Sequence, residues 1–502
     1  VSITCQYTDA NGDAQFAEVY AGLTKGAMVP AVTICQQPKL IVTIPTYGSI
    51  PQETVDPVPD PTPDPTPDPT PPEPSPPDYI IGLNFATEVG ISYPPDTQGA
   101  VGPDHIVQAI NGDFSVYSKI DGSILVDKSL YSFFNDAGGG YEHSPFDPRI
   151  VYDSGSERFF VIAADGRSST VGSNCLLAVS SSSDPTEDWN SFVFDAQGVD
   201  PNTKWLDFPI LGYNSEIVSV VAYMLSKDNS LNEPAIYKYV YVFPKEDLLL
   251  ETPNIDNAYR STIEEQLEFG SKDTPVFDPD GSMPHLVIGV QSGYFKVAEI
   301  NEGSPYSITQ TKIQSFDDAF PATGSRYGRQ PDSVQSLHFH TSYTQSMPPV
   351  KVGDYIYGAY NTSIEEDGSI AFYKMHAPTQ TVEQVTPIHY PDMDMIYPSV
   401  AVNNSGQVVI GFTGTGLNIY PNSYCVVGSL TDNGAVFSDP IQLSFSTQTH
   451  LLLDQYNRNR WGDYSATVVD PINNNHFWTF QEYPLQGSSS SYRIRATQII
   501  LN

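Results

Sequence analysis

The chain has 502 residues and a formal net charge of −36, from 59 acidic against 23 basic residues. Such a surface repels nucleic-acid phosphates and anionic lipid heads, which excludes nucleic acid as a partner. No stretch approaches the roughly 18 apolar residues of a membrane-spanning helix, so no membrane span is expected.

The 31 Tyr and 24 Phe, with abundant Val and Ile, favour strands throughout and give an all-β expectation. The best helical stretch is 261–269, where Ser261 and Glu264 have the spacing of a capping box. Val1 leads straight into strand-like sequence without an initiator Met or a signal peptide, so a mature exported chain is expected.

Residues 1–50 read as a small β module with strands at SITCQY, QFAEVYAGL, MVPAVTICQ and KLIVTIPTY. A core this small needs a staple, and a Cys5–Cys35 disulfide suits an oxidising compartment. Asp9, Asn11 and Asp13 have the spacing of a calcium loop without its distal Glu, and an ordinary hairpin turn is the reading preferred there.

Residues 51–78 are a linker, proline-alternating over 56–77 (DPVPDPTPDPTPDPTPPEPSPP). Fixed φ angles and missing donors predict polyproline II. At about 3.1 Å per residue it spans on the order of 70 Å, a spacer between two domains.

From Tyr79 a single unit recurs, each copy being four antiparallel strands. The units open near Asp96, Asp147, Lys204, Lys272, Arg329, Ile396 and Gly462. Radial repetition of such units predicts a seven-bladed β-propeller over 79–502. Six or eight blades stay open, because the third to fifth units carry long insertions. The last unit shows only three strands, so 79–87 is expected to supply its fourth and close the ring. Cys175 and Cys425 fall in non-neighbouring units and read as buried free thiols.

PPDTQGAVGPDHIVQAINGDFSVYSKIDGSIL (94–125), DPRIVYDSGSERFFV (147–161), SSDPTEDW (182–189), RWGDYSATVVDP and FWTFQEY together resemble a family of secreted bacterial β-propellers. The resemblance implies a secreted or extracellular, cell-surface protein, with small β modules joined to the propeller through linkers.

Asp96, Asp147, Asp207 and Asp463, together with Asp273 and Asp332, sit at or beside the openers. Converging carboxylates need protons, hydrogen bonds or a cation such as Ca²⁺, the one cofactor expected here. The alternative is that each Asp bonds a neighbouring blade's backbone. Arg149, Arg329 and Arg460 recur beside the openers too; together they would clamp a carboxylate, and separately they would form inter-blade ion pairs. His338 and His340 share a strand face but lack a third zinc ligand. Trp189, Trp205 and Trp461 are candidate surface platforms for a glycan.

The leading functional expectation is a non-enzymatic extracellular scaffold or adhesin. Its propeller is displayed on the spacer, and its N-terminal module anchors copies or self-assembles into an array or filament through homo-oligomeric contacts. The alternative is a glycan-active hydrolase or glycan-binding lectin acting at the channel mouth.

Overall fold

Strands such as RFFVIAA and NCLLAVS are apolar on both faces, which suits sheets packed between two neighbours. A computed structural model shows where those faces go. It describes residues 74–502 apart from 88–89, 91, 140–142, 167–171, 197–203, 227–236, 264–271, 292–293, 316–327, 332–338, 340–346, 433 and 455–456, together with the backbone of 2–8 and 14–20. The chain divides into two units, Val1–Pro71 and Pro72–Asn502. In the first, Ser2–Thr8 and Ala14–Tyr20 pair antiparallel with Thr8 opposite Ala14. The Cys5 and Cys35 side chains, the rest of the 1–50 module and nearly all of the 51–78 linker lie outside the described residues.

The second unit is a seven-bladed propeller: six sheets of four strands and one of five, with strands following one another in chain order except at the seventh blade's outer strand. The innermost strands are Gln98–Val101, Phe146–Asp153, Lys204–Tyr213, Lys272–Pro275, Val350–Val352, Asp394–Val402 and Ala466–Val469. The seventh blade adds His476–Pro484 and Tyr492–Leu501, and its outer strand is Tyr79–Ala86. Tyr79 pairs with Leu501 and Ala86 with Arg495, so the ring closes as the sequence leads one to expect.

The core is a set of seams, one between each pair of adjacent blades. Phe114, Phe159 and Val161 fill the seam of blades one and two. Trp478 and Phe480 meet Ile106 and Tyr117 across the closing seam of blades seven and one. Each fully buried side chain of this kind contributes about 1.5–3 kcal/mol. Cys175 lies in the seam of blades two and three and Cys425 in that of six and seven, both buried and free. The latter seam also carries hydroxyls: Ser399 Oγ and Thr467 Oγ1 are 2.7 Å apart, and Gln481 Nε2 donates to Ser465 Oγ at 3.1 Å. Gly411 faces them, where a Cβ would sit 2.0 Å from Thr479 Oγ1.

Two expectations need correction. The fifth blade opens at Val350, not at Arg329, because residues 329–331 belong to the insertion between blades four and five. Within the expected helix at 261–269, Ser261–Ile263 ends a strand paired with Lys238–Val240, so sheet pairing overrides the local capping signal there.

Candidate functional site

The site is built by a repeated irregularity where the inner strands begin. Asp147-Pro148, Phe208-Pro209 and Tyr397-Pro398 each interrupt the pairing register of their strand. The residue before each proline is left-handed, at φ 52°, 51° and 54°, and Asp96 of blade one is at 48°. Non-glycine residues rarely adopt this region, and such bulges re-aim side chains. The recurring x-Pro pair was visible in the sequence, but residues before proline are normally extended, so the turn was not foreseen.

The bulges carry a relay of hydrogen bonds around the axis. The Asp463 amide of blade seven donates to Asp96 Oδ1 at 2.8 Å. Asn111 Nδ2 donates to Asp96 Oδ2 at 2.8 Å, and Asn111 Oδ1 accepts from the Asp147 amide at 2.7 Å. The Phe208 amide of blade three donates to Asp147 Oδ2 at 3.0 Å. Burial, then Asp463 and Asp147, raise the Asp96 carboxyl well above its usual range. Asp147 is raised by burial and by Asp463, and a side-chain hydrogen bond with Asp96 offsets part of this. Burial and like charge thus favour the protonated form at both carboxyls. Glu482, raised by burial, accepts from the Gly462 amide at 2.8 Å beside them.

Arg149 is 1% exposed. Its guanidinium carbon lies 3.3 Å from the Tyr464 ring centroid and 5.1 Å from that of Phe208. Its Nε donates to the Pro209 carbonyl at 3.1 Å. Arg460 Nη2 bonds Asp463 at 2.9 Å, so Arg149 and Arg460 both act on the carboxyl cluster. Arg329 is held elsewhere, by Asp394 of blade six at 2.7 Å and by Asp367 of blade five, which also faces His389 at 3.3 Å. Asp207 sits opposite Tyr223, and Asp273 pairs with Lys238 at 2.5 Å. Asp332, His338 and His340 lie outside the described residues. Among the described residues no group of three or more His, Cys, Asp or Glu is arranged to hold a metal ion. The three tryptophans do not form surface platforms: Trp461 and Trp205 are buried, and Trp189 packs edge-on against Phe133 at 5.0 Å.

Sequence gave no sign of Met347. It packs against Phe208, Ile210, Tyr223 and Tyr464. Its sulfur is 3.1 Å from Arg149 Nη1 and 3.3 Å from Gln98 Nε2, so blades one, two, three and seven all meet it. Met347 also lines a cavity among the inner strands. Its volume is about 500 Å³, with Ala100, Ile150, Ala401 and Val468 on its walls. It opens among the exposed residues Ser154, Asp280, Gly353, Asn404 and Ile472, beyond the far ends of the same inner strands.

No family model and no curated protein matches the sequence. Solved structures do align. Trypanosoma rangeli sialidase in complex with 2,3-difluorosialic acid gives a TM-score of 0.36 at 9% identity, over 84% of this chain and 59% of that one. The chain thus spans about three-fifths of that sialidase. Drosophila Semaphorin 1b, extracellular domains 1–2, gives 0.38 at 8% identity over 85% and 88% of the two chains. The NanB sialidase of Streptococcus pneumoniae gives 0.39 at 8% over 79% and 81%. Likeness at this level carries no argument about activity.

Proposed function

We propose that the chain is a non-enzymatic extracellular display protein. The propeller is a rigid head, the proline segment its spacer, and the 1–50 module joins copies into an array or anchors them. The observation that carries this reading is the commitment of the three arginines. Arg149 is sealed under Tyr464, Arg329 is tied to Asp394 and Asp367, and Arg460 to Asp463. A carboxylate clamp for an acidic sugar needs such groups convergent and free. The charge of −36, the spacer and the resemblance to secreted propellers support an extracellular setting. Light scattering and electron microscopy of the full chain test it: oligomers or filaments are expected, and a strictly monomeric chain overturns self-assembly. Turnover of any aryl glycoside in a panel, lost in Asp96→Asn, would overturn the non-enzymatic part. A second reading, a glycan-binding head, is favoured by the cavity among the inner strands.

A further inference from the structure

We infer that the cavity among the inner strands is a binding site for a neutral, pyranose-sized sugar, entered from the end opposite the carboxyl cluster. This rests on the glycan-binding reading and gives it a site and a ligand class. The cavity, at about 500 Å³, falls within the roughly 300–1,000 Å³ of small-molecule pockets. Its wall at the mouth is preformed, because the inner strands of blades three, four and five bond one another directly. Tyr213 bridges to Phe277, and Phe277 to Val350. The Lys351 amide donates to the Phe277 carbonyl at 2.8 Å.

Half-buried Phe277 lines that wall, 5.5 Å from the buried ring of Tyr213, and Ser154, Asn404 and Asn474 stand around the opening. A sugar ring has one C–H face for the aromatic ring and a hydroxyl edge for the polar groups.

Charge selects against anionic ligands. Lys351 is neutralised by Asp278 at 2.8 Å, and Asp470 by Lys119 at 2.8 Å. The remaining lining charge is Asp280, which repels anions, as does the chain's charge of −36.

The test is calorimetric titration of the full chain with glucose, galactose, mannose and N-acetylglucosamine, and with N-acetylneuraminic acid and choline as charged probes. Saturable binding of at least one neutral sugar is expected. Ser154→Trp, at an exposed rim position, should weaken it by at least about tenfold with an unchanged melting temperature. Phe277→Leu should weaken it through loss of the aromatic face. Binding of only the charged probes overturns the ligand class. Neutral-sugar binding that Ser154→Trp leaves intact overturns the site while the glycan-binding reading stands. Absence of binding to every probe overturns both, and the assembly reading, measured by particle size, is untouched.

Discussion

The guanidinium carbon of Arg149 lies 3.3 Å from the centroid of the Tyr464 ring, across the axis from blade two to blade seven. Burial lowers the Arg149 pKa, while the surrounding carboxyls work against that. The ring face supplies the rest of its stabilisation, about 2 kcal/mol for a desolvated pair. Tyr464→Phe keeps the face and loses only the hydroxyl bond to the Pro148 carbonyl, at about 1 kcal/mol. Tyr464→Leu leaves a buried cation poorly compensated and should cost about 3–5 kcal/mol. Denaturant melts of the two variants check the order; equal losses would show that the stacking contributes nothing.

The raised carboxyls of Asp96 and Asp147 make stability depend on pH. Their folded-state pKa values are raised, so the unfolded chain releases these protons first as pH increases. The contribution is complete below the ordinary value of 3.8 and is lost as pH rises through the raised values. Asp96→Asn removes the titrating carboxyl, keeps one of its two acceptors and should flatten that loss. Melting temperatures measured at stepped pH for both proteins decide it, and parallel curves would show that the Asp96 carboxyl is not the cause.

The buried histidines act with the opposite sign. Burial lowers His450, packed between Phe339 and Trp461, to about 4, and His285 to about 3. A depressed folded value means stability is present above the ordinary 6.5 and is lost as pH falls toward 4. For His450 the full loss is on the order of 3 kcal/mol. Trp461 is its edge-on neighbour at 4.9 Å, so acid unfolding should register in tryptophan fluorescence. His450→Phe should move that transition to lower pH; an unmoved transition rules His450 out as its cause.

Calcium chelation should leave the melting temperature unchanged, because Arg460 and N–H donors already satisfy the carboxyl oxygens. A calcium-dependent stabilisation abolished by Asp147→Asn would reinstate a bridging cation.

Deleting Tyr79–Ala86 should strip the seventh blade of its outer strand and expose the edge of Tyr492–Leu501. The expected result is a lower melting temperature and self-association in size-exclusion chromatography. Unchanged behaviour would mean that this strand is dispensable to the ring.

The blades were legible because two-faced apolar strands recur with polar turns between them, and the three-stranded last unit told where its partner lay. The fifth inner strand was misplaced because it is only Val350–Val352, whereas Arg329-Gln330-Pro331 resembles the x-Pro openers of the other blades. The carboxyl cluster could be read in outline from Asp before strands. Its geometry could not, since left-handed Asp147 and Phe208 are held by partners far away in sequence. Met347 had no local signal at all: its place depends on four blades and an insertion. Trp461 looked available beside a charged loop, yet Phe339 of that insertion lies 4.6 Å from it.

The chain leaves the proline segment and runs directly into Tyr79–Ala86, the strand that fastens the ring, with Tyr79 against Leu501. A force applied through the residues before Tyr79 would meet this clasp first. Losing that one strand reopens the rosette along Tyr492–Leu501.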